Sequence, residues 1–520
     1  MNSFLARHAS KIKGVLHGFD RIRFRGTLRW LANTKGMMSW LWNRQVLLKD
    51  FKPHAIALTD QIDEESRRIA QSIGQAKEIY LESSNISKED VAKALAAEKG
   101  IREGLVCVLK CVEPARTFKV ESNPHTKHIE LRSHPGRCSH YYFYYAHPVF
   151  GWMHVRLQSW LPFTIHMVIN GRDWLGRQLM SAGVPFEKRD NCFVDIADVS
   201  KAQSLLTAQL RTNWETTLED LRRLAHPSHE RIFGTDLPNY YWSADETEWA
   251  TDVMFRSRAE LDALYPQLVH HGVTTFSCGD VLHFLGRRPH VQMFSAADVH
   301  TDLKTRPEGT RLKHTLNHNS IKMYDKQESV LRIETTVNDA RDMKAFRASE
   351  ADPDGPKQWR RLRKGVADLP RRAEISQASN ERYLEALGNV EQTEPLKKMV
   401  APLVRPAQWK GRRVRALNPL SKDDSRLLLA INRSEFDING FRNQDLRPLM
   451  FDQPASPKTI EGKRQSTKIT RLLRLLRGHK LITKIPKTHR YKLTKQGSRQ
   501  IIAILTAQNA STKTLTELAV

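Results

Sequence analysis

Cysteine is sparse: five in 520 residues, Cys107, Cys111, Cys138, Cys192 and Cys278. An odd, scattered set builds no disulfide framework and fits a reducing, cytoplasmic setting. Cys107 and Cys111 lie in the apolar stretch LVCVLKCVE, with no further ligand pair at zinc spacing. They read as buried structural thiols. No run of about 18 apolar residues occurs, so no membrane-spanning helix and no membrane partner is expected. The opening residues, MNSFLARHASKIKG, lack a long apolar segment and a small-residue cleavage pattern, and read as mature sequence. Several chemistries lack their motifs. There is no GxxxxGK[ST] phosphate loop, no GxSxG elbow and no HExxH helix. No repeat of fixed period is found.

Acidic residues are few beside basic ones, 57 against 83, which leaves a net charge of +26. Such a field attracts polyanions, nucleic acid before anionic membrane. Apolar residues are 40% and charged residues 27% of the chain, enough for ordinary folded cores. The length predicts three or four domains.

The expected fold class is α/β multidomain: a mixed helical and antiparallel-sheet N-terminal region followed by a C-terminal winged helix. Residues 1–115 read as mostly helical, interrupted by a strand or hairpin at 18–28, GFDRIRFRGTL. Residues 116–200 hold the strongest strand signals and predict an antiparallel sheet with a helix. Turns are expected at His147-Pro148 and Pro162. Alternation puts His154, Arg156 and Gln158 on one face of a strand, with His166 on the polar side of the next. A half-buried sheet is one reading of that face. A basic, aromatic face that touches nucleic acid through Arg156 is the other. Residues 201–390 predict a helical region with a β-hairpin at 320–338, its strands SIKMYD and SVLRIETTV. Residues 391–421, rich in proline and basic residues, read as a linker.

The stretch 422–508 is the most informative. DDSRLLLAINRSEFD predicts a first helix and INGFRNQDLRPLMF a turn and a second. In RQSTKITRLLRLLRGHKL a helical wheel gathers Ile469, Leu472, Leu473 and Leu476 on one side, with Lys468, Arg471 and Arg474 opposite. Gly478 is placed to end that helix. LITKIPKTHRYKLT then reads as a hairpin with Lys487-Thr488 near its tip.

Helix, helix, basic helix, basic hairpin is the order of a winged helix-turn-helix. ITRLLRLLRGHKLITKI followed by HRYKLTKQG resembles the MarR-type winged-helix domains of bacterial regulators. The whole chain looks like a family of long bacterial proteins catalogued by this domain. From 401 to 500 there are 24 Lys and Arg against 7 Asp and Glu, so +17 of the +26 sits in this region. The expected partner is nucleic acid, with DNA favoured over RNA because a groove-inserting helix suits B-form geometry. Expected contacts are Lys468, Arg471, Arg474 and Arg477 on the helix and Lys484, Lys487, Arg490 and Lys492 on the wing.

An alternative reading is a metal-dependent nuclease or transposase-like enzyme. Asp20, flanked by Arg21, Arg23 and Arg25, and Glu334, in VLRIETTV, are mid-strand acids. With an acid from a later helix, Glu374 or Glu381, they could hold Mg²⁺ as catalytic metal ligands. Pairing with neighbouring arginines is the competing reading for both. Asp325 lies in the same hairpin, and Tyr324 offers a nucleophile of the rolling-circle initiator kind. No His-x-His motif accompanies it, and His314 and His318 are spaced too far apart to share one strand's metal.

Overall fold

A computed structural model describes residues 2–509 apart from 126, 235–238, 287–298, 307–308, 349–351, 353, 389–395, 434–435, 437–439, 457–458 and 487. The chain is mixed α/β, built on one large, mostly antiparallel sheet. In chain order its strands are β1 (Ile12–Thr27), β2 (Ile79–Leu81), β3 (Gly104–Ser122), β4 (Ile129–His147), β5 (Gly151–Gln158) and β6 (Ile165–Asn170). A separate two-stranded hairpin follows, β7 (Phe186–Arg189) and β8 (Cys192–Ile196). The large sheet resumes with β9 (Tyr241–Phe255), β10 (Val299–Arg306), β11 (Gly309–Leu316), β12 (Asn319–Lys326) and β13 (Val330–Val337). Their order is β10-β11-β12-β13-β9-β1-β6-β5-β4-β3-β2, with only β2 and β3 parallel.

Several sequence expectations change here. Of the two readings of GFDRIRFRGTL, strand or hairpin, the strand holds: it is part of the 16-residue β1, paired with β9 on one side and β6 on the other. LVCVLKCVE belongs to the 19-residue β3, so residues 1–115 are less helical than expected; Cys107 and Cys111 are buried there as structural thiols. Within 201–390 the 15-residue β9 replaces an expected helix. The predicted strands of 320–338 form β12 and β13, turned by Gln327 and Glu328 at positive φ (50° and 61°).

Alternation along these strands sorts side chains to two faces. One face is apolar. Phe24, Met153, Val155, Ile165 and Met167 pack under helices 34–43, 51–71, 171–181 and 214–225. Toward β10, the helices 258–274, 278–284 and 369–387 cover Val253, Ile321, Leu331 and Ile333. The other face is charged at its centre. Over β3 and β4 the helix Lys88–Glu98 covers it, burying Tyr142 and Tyr144 beneath Ala92, Val91 and Leu95. The aromatic part of this face is therefore closed to base stacking.

The C-terminal region has its own core. Leu427, Leu428 and Ile431 from helix Lys422–Ile431, Leu446 and Leu449 from Asn443–Met450, and Ile469, Leu473 and Leu476 from Ile460–Gly478 meet in it. Leu403 and Leu417 join the same core, so the stretch read as a linker contributes to this domain. It carries a short hairpin, Ala407–Trp409 paired with Arg412–Val414.

Candidate nucleic-acid interface and a buried carboxylate cluster

At the sheet centre a bulge aims one of the predicted acids. Phe19 pairs with Trp249 and Arg21 with Glu248, leaving Asp20 as the extra residue of β1. Gly171 opens the next helix against this point: a Cβ there would meet the Phe19 carbonyl oxygen at 1.8 Å, so only glycine fits. Asp20 and Glu334 do come together. Their carboxylate oxygens and one from Glu248 lie within 4.8 Å of one another, and all three residues are buried. Glu248, on a strand read as helix, escaped the sequence reading. Glu374 and Glu381, the expected third acids, are exposed; Glu374 pairs with Arg371 and Glu381 accepts from Gln377.

Each carboxylate already holds a cation. Arg332 donates to Asp20 at 2.7 Å and to Asp252 at 2.6 and 2.9 Å. Asn191, in the β7–β8 turn, donates to both Asp20 oxygens at 2.9 Å. Arg172 sits 2.8 Å from Asp252 and is fully buried. Lys322 donates to Glu334 at 2.6 Å and to Glu248 at 2.9 Å. Burial works against the Lys322 ammonium, but Glu334 and Glu248 outweigh it and raise its pKa. The Arg332 pKa likewise rises against burial, through Asp20 and Asp252. Three oxygen donors suit a hard cation such as Mg²⁺. Lys322 bridges two of them, so a metal fits only if Lys322 moves away.

Around this cluster the exposed arginines also have partners. Arg21 pairs with Glu246 at 2.8 Å and Glu248 at 3.2 Å, Arg23 with Glu246 at 3.8 Å, and Arg25 with Asp245 at 3.7 Å. Arg156 donates to Glu113 at 2.9 and 3.1 Å and is half-buried, so it is committed within the sheet. The other chemical candidates of this hairpin are also enclosed. Burial pushes the Tyr324 phenol up to about 12 and the Asp325 carboxyl up to about 6.

The C-terminal basic helix is different. Ile460–Gly478 starts on a Thr459 cap, whose hydroxyl accepts from the Gly462 N–H. It buries Ile469, Leu473, Leu475 and Leu476 and half-buries Leu472. Lys463, Thr467, Lys468, Arg471 and Arg474 are exposed along the opposite side. Gly478 does not end the helix by a left-handed turn. It lies where Val414 of the 407–414 hairpin packs, and the left-handed residue is Lys480, φ 58°.

Beyond it, Ile482–Lys484 pairs with Tyr491–Leu493, and the Tyr491 backbone also bonds Phe441 in both directions at 2.8 Å. Lys484 and Lys492 are exposed on this hairpin; Lys487 lies outside the described residues. Arg490, expected to reach a partner, is buried: it donates to the Gly440 carbonyl at 2.7 Å and stacks 4.1 Å over Phe346. Arg477 is half-buried between the Trp409 ring at 4.7 Å and the Tyr491 ring at 5.9 Å.

No helix among the described residues is long and apolar enough to cross a membrane. No family model, no curated protein and no solved structure matches the chain.

Proposed function

We propose that the protein binds nucleic acid, duplex DNA foremost, through a C-terminal winged helix-turn-helix of MarR-like pattern, in the cytoplasm. The observation that carries this is the exposed stripe Lys463, Lys468, Arg471 and Arg474. Among the described residues it meets no carboxylate, whereas the arginines of the sheet do. The element order supports the reading. A helix, a strand residue at Phe441, two further helices and a two-stranded hairpin that Phe441 joins follow the order expected of a winged helix. In that role the 460–478 helix enters the major groove, and Lys484 and Lys492 reach the flanking backbone.

The test is fluorescence anisotropy with labelled duplex DNA and RNA over a salt series. Counterion release makes the affinity for DNA fall steeply, by roughly 10³-fold from 50 to 200 mM salt if about six phosphates are neutralised. A flat salt dependence overturns the reading, and a preference for RNA overturns its DNA assignment.

A second reading, a metal-dependent phosphodiester-cutting enzyme, rests on the convergence of Asp20, Glu248 and Glu334 within 4.8 Å. Thr336, directly across from Glu248, adds a buried hydroxyl with no hydrogen-bond partner among the described residues. Incubation of labelled DNA with Mg²⁺ or Mn²⁺ tests it. Cleavage that disappears in Glu248→Gln supports the enzyme; intact DNA under saturating binding removes it.

A further inference from the structure

The hairpin 407–414 stands beside the basic helix. Its two-residue turn, Lys410-Gly411, has positive φ at both positions (50° and 71°), the form that matches strand twist. Pairing of Ala407 with Val414 and Trp409 with Arg412 places these four residues on one face. That face meets the 460–478 helix: Val414 packs at Gly478 and the Trp409 ring lies against Arg477.

Between hairpin and helix runs an open cleft of ≈ 610 Å³. Lys410, Arg412, Arg413, Arg415, Arg471 and Arg474 line it, and no carboxylate does. Arg415 is held by Asp424 at 2.6 and 2.7 Å. The side chains of Arg412, Arg413, Arg471 and Arg474 have no hydrogen-bond or ion-pair partner among the described residues. The unneutralised guanidiniums of Arg412, Arg471 and Arg474, with Arg413 bordering from the hairpin's opposite face, repel one another, and their forks match the oxygens of phosphate.

We propose that the 407–414 hairpin is a second arm of the nucleic-acid interface, and that this cleft seats the phosphate backbone of one strand of duplex DNA. The inference rests on the DNA-binding reading above and adds to it. The protein grips through the helix, the wing and a hairpin that precedes the winged helix in sequence. The arm is preorganised by the Val414 and Trp409 contacts, so little ordering cost opposes binding.

The experiment compares full-length protein with Arg412→Ala/Arg413→Ala and with Arg412→Lys/Arg413→Lys, by anisotropy on one duplex DNA over a salt series. Both arginines are exposed, so the fold is retained and circular dichroism verifies it. Losing two phosphate contacts lowers the salt slope by about 1.8 and weakens binding about 30-fold at 0.15 M salt. The lysine pair restores most of the slope, because the contact is to charge. If the wild type binds with a steep slope and the alanine pair matches it, the second arm is wrong and the DNA-binding reading stands. If the wild type does not bind DNA, both fall together.

Discussion

Arginine is dense in two regions of this protein, and its surroundings differ. On the sheet, Arg21, Arg23, Arg25, Arg156 and Arg332, and Arg172 from the helix packed on it, each face a carboxylate. On the C-terminal domain, Arg412, Arg413, Arg471 and Arg474 face none among the described residues. The same side chain thus closes an ionic network in one place and leaves a field open in the other. The excess of basic residues leaves an uncompensated field only where acids are missing in space.

The comparison breaks most visibly at Arg332. Replacing it with methionine takes one of the two buried guanidiniums, Arg332 and Arg172, from Asp20 and Asp252, which costs about 3 kcal/mol. Urea unfolding measures this, and a loss under about 1 kcal/mol would mean that these carboxylates do not depend on the pair.

Acid provides the next contrast, since it acts on the sheet. Burial, with help from Arg156, holds the His140 imidazole down to about 4 from 6.5. Unfolded chains bind that proton below 6.5 and the fold only below about 4, so stability falls as pH drops through this window. At about 1.4 kcal/mol per pKa unit, His140 alone accounts for about 3 kcal/mol. Burial pulls the Glu113 carboxyl upward, but Tyr142, Lys88 and Arg156 outweigh it and hold it down to about 2. Its contribution is present above 4.5 and disappears toward 2. Hydrogen-exchange protection, measured against the slower intrinsic exchange at acid pH, should therefore fall in β4 before it does in the 460–478 helix. An equal loss of protection in both would contradict this.

For binding, Lys468→Ala/Arg471→Ala/Arg474→Ala should weaken DNA affinity by about two orders of magnitude at 0.15 M salt, with a slope lower by about 2.7. Arg21→Ala/Arg23→Ala/Arg25→Ala should leave the slope unchanged, because those charges are already matched. Equal losses in the two sets would erase the distinction between the regions. The smallest effect is Arg25→Ala, whose half-exposed pair with Asp245 at 3.7 Å is worth under about 1 kcal/mol in thermal unfolding.

The sequence made some of this legible and hid the rest for physical reasons. The 320–338 hairpin is readable because its strands alternate and its turn is short. The leucine face of the basic helix is readable because helical periodicity is local; Leu475 was missed because the 407–414 hairpin that covers it lies far upstream. In β9, SADETEWATD has the acid content of a solvated helix surface. Glu248 and Asp252 are buried instead because β1, β12 and β13 bring Arg21, Lys322 and Arg332 against them. That match joins residues at least 74 apart in sequence and has no local signature. The same reason explains the cluster. Asp20 and Glu334 were legible as mid-strand acids, whereas Glu248 required knowing that β9 lies between their strands. Arg490 read as a wing contact because composition cannot show that its side chain folds back under Gly440.

The place of β1 in the sheet has a consequence for synthesis. Its neighbours are β6 and β9, and the second is complete only at Phe255. At about 5–20 residues per second, the ribosome leaves one edge of β1 without its partner for roughly 10–50 s. An unpaired apolar strand edge invites association with other chains over that time, and charged side chains on it discourage that association. Arg21, Arg23 and Arg25, which later meet the acids of β9, keep the waiting strand charged until those acids arrive.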